Sequence, residues 1–342
     1  MKNITEKENF LMFARGEHPV WVPRYGMGPD PYSKYPAAVR FAIPSFLSER
    51  RTPDGGFDMW GVEHVATEET GGASLPVPNK FMIKDITKWR DVVKAPDLSN
   101  IDWEAMAKKD LANINREESA LVTGSHVGYF QQLMAFMGFS EGLCVFYEEP
   151  DEVHALYEYM SDFFLEVVKK TIEYYKPDII DITDDTATAL NPFISNDMYR
   201  EFVKPYHAKQ MQPAVDAGLP IMMHNCGRCE DSIDDWMDFG VTSWNPAQLM
   251  NDLDGIKKKY GRKMGLCGCW DSAGPVNWPT ATEDMVRQAV RDTIDRFAPD
   301  GGFCFWGSTY GPVGDISTEN RKRWMTDEYE KYGRTFYDRN VK

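Results

Sequence analysis

Pro220-Ile221-Met222-Met223-His224-Asn225-Cys226-Gly227 is an apolar run that ends abruptly in a histidine, a cysteine and a glycine. A buried strand that delivers metal-type ligands to a pocket has this form. Upstream, Ser195 is placed to cap a helix from Met198 to Ala217, and Gly218 stops that helix just before the strand. A second run, Lys263-Met264-Gly265-Leu266-Cys267-Gly268-Cys269-Trp270-Asp271, repeats the pattern, with its polar groups again at the C-terminal end.

The alternation extends in both directions. Upstream lie the strand Asp178–Thr183, closed by Asp184-Asp185, a helix from Asp151 to Tyr175 with an apolar stripe, and the strand Ala120–Gly124, ending at Ser125-His126. Downstream come the helix Glu230–Phe239, the strand Val241–Asn245, the helix Asp254–Tyr260, the strand Met264–Gly268, the helix Glu283–Phe297, the strand Phe303–Gly307 and a terminal helix from Thr318 to about Tyr332. Nearer the N-terminus, Thr5 to Arg15 reads as a short amphipathic helix and Val20–Tyr25 as a strand, with further helical patterns at Ile86–Lys94 and Trp103–Ile114. Six strand–helix units, the strand at Val20 and another near Phe57–Val65 give about the eight staves of a (β/α)8 TIM-type barrel, of fold class α/β. The length of 342 residues suits one such domain over 1–342. Residues from about 26 to 78, rich in Gly, Pro and aromatics, read as an irregular, lid-like insertion over the barrel mouth. An open doubly wound sheet would bring a glycine-rich phosphate turn after an early strand, and the chain has none.

With 53 acidic against 38 basic residues the net charge is −15, which argues against nucleic acid or an anionic membrane as the main partner. No apolar run reaches membrane-spanning length and the first residues lack an export signal, so a cytoplasmic protein is expected. In that compartment six cysteines are more readily ligands or reduced thiols than disulfides.

In a barrel the site lies at the C-terminal strand ends. His126, Asp184, Asp185, His224, Cys226, Asn245, Gln248, Cys269 and Asp271 all fall there. His224 and Cys226, two apart in extended chain, project to one side, and Cys267 and Cys269 have the same spacing. Zinc accepts this nitrogen and sulfur set, and a catalytic site keeps a position open, so three of the four suit catalysis better than all four. The competing reading is that the cysteines are small buried hydrophobes and His224 a hydrogen-bonded core residue. Asp184 and Asp185 can act as acid or base, orient the histidine or hold a cation, or simply cap a helix. Asp184, His126 and Asn245 are the candidates for shaping the substrate.

His224-Asn225-Cys226-Gly227, together with Asp184-Asp185, Asn191 through Ser195, Lys204-Pro205-Tyr206, Gly240 through Gln248, Gly268 through Asp271 and Gly301-Gly302-Phe303, resembles the uroporphyrinogen decarboxylase superfamily, and within it the cobamide-dependent methyltransferase branch. The arginine-rich N-terminal element that binds porphyrinogen carboxylates in the decarboxylases is replaced by Val22-Pro23-Arg24-Tyr25-Gly26-Met27-Gly28, which weighs against decarboxylation. The resemblance implies zinc at His224 and Cys226. Ser308 stands near the family's last ligand cysteine, so Cys269 or Cys267, and after them Cys304, would supply the missing thiolate. It implies methyl transfer from a small methylated substrate, with an aryl methyl ether favoured, to the cobalamin-type corrinoid of a separate partner protein. Methyl transfer from a cobamide to a thiol, a decarboxylating lyase and a non-catalytic zinc-stabilised corrinoid-binding subunit are the alternatives.

Overall fold

Strands in the computed structural model, which describes residues 4–26, 28–67, 73–125, 128–312 and 314–339, fall into two sheets. The first strand, β1 (Val39–Phe41), is followed by four short ones, β2 (Arg51–Thr52), β3 (Gly55–Phe57), β4 (Glu63–Ala66) and β5 (Ser74–Pro76). Six more alternate with helices: β6 (Ala120–Ser125), β7 (Ile179–Thr183), β8 (Ile221–His224), β9 (Val241–Ala247), β10 (Gly265–Gly268) and β11 (Phe303–Phe305). The order β1-β6-β7-β8-β9-β10-β11 makes one parallel sheet of seven strands, the wall of a TIM-type α/β barrel.

Alternation along each strand divides its side chains between two cores. Val39, Val122, Ile179, Met222, Cys267 and Cys304 share the inner cluster, whereas Leu121, Ile180, Ile221, Met223, Trp244 and Leu266 pack outward against the helices. Tyr25 and Val39, from opposite edges of the sheet, meet in the inner cluster, so the wall curls round on itself. Past β11 a single parallel bridge joins Arg24 to Phe305, with Phe305 N–H donating to Pro23 O at 2.8 Å and Tyr25 N–H to Phe305 O at 2.9 Å. The predicted Val20–Tyr25 strand is reduced to that bridge.

The helix Glu6–Ala14 closes the end of the barrel opposite the ligand-bearing strand ends. Thr5 and Glu8 form a reciprocal capping box at its start, and Phe10 and Phe13 are fully buried in the inner cluster. Burying each ring stabilises the closed end by about 1.5–3 kcal/mol. A Cβ on Gly265 would lie 2.6 Å from the Phe13 ring, so only glycine lets the helix seat this deeply.

The insertion is more ordered than its composition suggests. β2 to β5 form a separate four-stranded antiparallel sheet, and Phe57–Val65, expected to be a barrel stave, instead spans parts of β3 and β4 within it. The stave is β1, at Val39–Phe41. A three-residue strand gives too few positions for a period-two pattern to stand out from the surrounding Gly and Pro. Two helices, Tyr129–Met137 and Phe139–Glu148, also fill the stretch between β6 and the long helix Pro150–Tyr175, where no helix was expected. No helix among the described residues is long and apolar enough to cross a membrane.

Candidate metal centre at the barrel mouth

Met222 points into the barrel, so His224, two residues on, points the same way at the C-terminal end of β8. Its partner in register on β9 is Asn245, whose Oδ1 accepts a hydrogen bond from His224 Nδ1 at 2.7 Å. Since that oxygen can only accept, the proton sits on Nδ1 and the lone pair of Nε2 is left facing out of the contact. Nε2 lies 3.8 Å from Cys226 Sγ. Asp185 completes the group: one atom each from Asp185, His224 and Cys226 lie within 4.8 Å of one another, the only such metal-type set among the described residues.

The backbone around the triad is fixed by polar ties. Cys226 N–H donates to Asp185 Oδ1 at 2.7 Å, and Gln131 Nε2 donates to Asp185 Oδ2 at 3.2 Å. Asn225 exchanges hydrogen bonds with Thr186, at 3.2 Å from its backbone N–H and 2.9 Å to its hydroxyl. Gly227 has φ +94°, and a Cβ there would stand 2.6 Å from Thr188 O, so glycine is required for the two loops to pack this closely. Gln248 accepts from Gly227 N–H at 2.6 Å and so holds the loop beyond the pair.

Burial, then the Asp185 carboxylate, pushes the Cys226 thiol up to about 12. A divalent cation would reverse this balance, because it neutralises the carboxylate and stabilises the thiolate together. The imidazole, thiolate and carboxylate fit zinc, with a fourth position left for substrate. Beneath them Asp181, also inward on β7, is fully enclosed; burial raises its carboxyl to about 6, offset in part by His224. Asn245 and His224 both act on that carboxyl, so Asp181 lies under the Asn245–His224 contact as a second buried polar layer.

Four of the sequence candidates lie elsewhere. Asp184 follows Thr183 with its side chain on the opposite face from Asp185, and it is wholly buried among the helices. It accepts from Phe130 N–H and Gln131 N–H, both at 3.0 Å, and contacts His207 Nε2 at 3.1 Å. It therefore anchors the start of the helix Tyr129–Met137, the capping alternative, rather than shaping substrate. Gly128 must be glycine for this, since a Cβ would sit 2.1 Å from Asp184 Cγ. Cys267 lies in the inner cluster, in register with Cys304 on β11, and burial raises its thiol well above the ordinary value. Cys269 breaks the expected same-side geometry: Gly268 has φ +124° and Cys269 φ +57°, which turns its side chain outward into the helix-facing core. Its electrostatic neighbours after Cys267 are Lys257 and Arg296, both on helices. Neither joins the triad. Asp271 accepts from Gly274 N–H at 2.8 Å and serves its own turn. His126 lies outside the described residues.

Asp185 also lines a cavity of about 870 Å³ between the insertion sheet and the helix Tyr129–Met137. Leu47, Met59, Phe81, Met134, Phe139 and Phe193 give it apolar walls. It is large enough for a small organic substrate.

The chain has the fold of a methyltransferase from Methanosarcina mazei, at 13% identity and a TM-score of 0.64, over 96% of this chain and 100% of that one. No curated protein matches its sequence. The sequence profile described as uroporphyrinogen decarboxylase (URO-D) matches residues 60–325, which takes in the insertion sheet from β4 onward and every barrel strand from β6 to β11. The chain belongs to the uroporphyrinogen decarboxylase family.

Proposed function

We propose that this protein is a methyltransferase that moves a methyl group from a small methylated substrate, an aryl methyl ether, to the corrinoid of a separate partner protein. Asp185, His224 and Cys226 would hold zinc. The observation that carries the reading is a nitrogen, sulfur and oxygen donor set at the mouth of a barrel, beside an apolar cavity. The likeness of fold to a methyltransferase supports it.

Zinc bound there would act as a Lewis acid toward the substrate's ether oxygen, the atom that gains charge as the methyl group leaves. The chain's own groups prepare that position. Asn245 fixes the tautomer and plane of His224. Asp185 is steadied by Gln131 while it holds the Cys226 backbone in place. The apolar walls beside Asp185 offer the aromatic ring a nonpolar surface next to the ligand set.

The test is to incubate the zinc-loaded protein with reduced corrinoid protein and methoxylated aromatics, following the cobalt spectrum and loss of the methyl group. Methylation of the corrinoid with stoichiometric release of the phenol is expected. Failure with every donor, together with thiol-dependent demethylation of methylcobalamin, would assign the reverse direction of transfer.

A further inference from the structure

Arg51, on β2, is the only lysine or arginine among the described residues that line the 870 Å³ cavity. One of its nitrogens, Nη2, donates to Ser74 O at 2.7 Å across the insertion sheet. Among the described residues no carboxylate forms an ion pair with it. The nearest acid in electrostatic terms, Asp58, is already committed. Its Oδ1 accepts from Trp60 N–H at 2.9 Å and Val62 N–H at 2.8 Å, and its Oδ2 from Gln132 Nε2 at 3.0 Å.

His64, on β4, lies in the same cavity wall and is 6% exposed. Its Nδ1 meets Val62 O at 3.1 Å, and because a carbonyl only accepts, the proton is on Nδ1. Burial first, then the charge of Arg51, holds His64 below its ordinary value, so the imidazole is neutral with an Nε2 acceptor to spare. A half-buried guanidinium that makes no ion pair among the described residues, with only Asp58 acting on its charge, is costly in an apolar wall unless a ligand supplies a closer charge. The cavity's other acid, Asp185, already accepts hydrogen bonds from Cys226 and Gln131.

We propose that Arg51, with His64 beside it, is a subsite for the carboxylate of an aromatic acid bound in this cavity. A guanidinium with only one nitrogen engaged keeps an edge for a paired contact to two carboxylate oxygens. The neutral His64 adds an acceptor for a hydroxyl next to that carboxylate. The walls between take the ring. That the far end of the acid carries the transferred methyl group rests on the function proposed above; the carboxylate subsite itself does not.

Binding alone tests it. Titration calorimetry on the full-length protein would compare para-methoxybenzoate with para-methoxybenzamide, which has nearly the same shape and no charge. The acid is expected to bind at least about tenfold more tightly than the amide, the scale of one charge-assisted contact. Arg51→Gln is expected to abolish that preference, and Arg51→Lys to retain part of it, with circular dichroism and unfolding temperature showing that both variants are folded. Equal affinity for acid and amide, no binding of the acid, or a preference that survives in Arg51→Gln would overturn the subsite. No corrinoid or turnover enters this measurement, so a failure of methyl transfer and a failure of the subsite are read separately.

Discussion

Two strand ends in this barrel carry ligand-type residues two apart, and only one of them keeps its pair together. After β8 the chain stays extended long enough for His224 and Cys226 to face the mouth together, and Gly227 makes the sharp turn beyond them. At the end of β10 the turn begins two residues earlier, between the two cysteines. Gly268 and Cys269 both take positive φ, and the two thiols part, Cys267 into the inner core and Cys269 toward the helices. The same two-residue spacing thus gives a metal-type pair in one place and packing in the other. What separates them is where the left-handed residue falls relative to the cysteines.

The largest expected effects follow from breaking the β8 pair. His224→Ala and Cys226→Ser should each remove bound zinc and lower methyl transfer by at least about a hundredfold, measured by metal content and initial rate. Cys267→Ser and Cys269→Ser should keep the metal and lose stability, by about 1–2 kcal/mol for placing a hydroxyl in an apolar core. Loss of zinc from Cys269→Ser would erase the contrast.

Asp184 and Asp185 give the comparison again within one pair of neighbours. Asp184→Ala should lower stability by about 2–4 kcal/mol, since it leaves two helix N–H groups and His207 without their acceptor, while zinc stoichiometry is unchanged. Asp185→Asn should leave the unfolding temperature nearly unmoved yet weaken zinc binding by about ten- to a hundredfold, and Asn245→Ala should weaken it similarly while costing about 1–2 kcal/mol for the stranded His224 Nδ1–H.

The next test concerns protons. Because the Cys226 thiol is raised to about 12, zinc binding must displace its proton, so affinity should rise with pH through the neutral range and calorimetry in buffers of different ionisation enthalpy should show proton release. For the metal-free protein the sign is opposite. The unfolded thiol ionises near 9 and the folded one near 12, so stability should fall as pH rises through that interval. Cys226→Ser should flatten that dependence.

The smallest effect is expected at Asp181. Its folded carboxyl keeps a proton up to about 6, whereas the unfolded chain releases it near 3.8, so stability is lost as pH climbs between those values and stays lower above them. Asp181→Asn, neutral at every pH, should raise the stability of the metal-free protein at neutral pH by about 1–2 kcal/mol. A lower unfolding temperature would show that His224, Thr183 and Asn245 outweigh the cost of burying the carboxylate.

The parallel wall was legible because the strands from Ala120 onward are apolar, regularly spaced and closed by polar groups. The triad was half legible. His224 and Cys226 stand two apart in the chain, but choosing Asp185 over Asp184 depends on which of two neighbours faces inward. Counting by twos from Asp181 and Thr183 gives that answer, because both are inward and Asp185 continues their face. Cys269 was not legible in the same way, since the strand pattern does not announce a non-glycine residue at φ +57°. Nor was β1, whose three residues are too few to carry a period. Arg51 and His64 reach one cavity only through the antiparallel pairing of the insertion, which brings β2 and β4 to either side of β3.

On the proposed reading zinc binds at Asp185, His224 and Cys226 and not at the cysteines of β10. Metal analysis of the purified protein beside its Cys226→Ser, Cys267→Ser and Cys269→Ser variants tests it most directly. About one zinc per chain is expected in the wild type and in both β10 variants, with none in Cys226→Ser. A wild type without stoichiometric zinc, or a Cys226→Ser variant that retains it while Cys269→Ser loses it, would contradict the account.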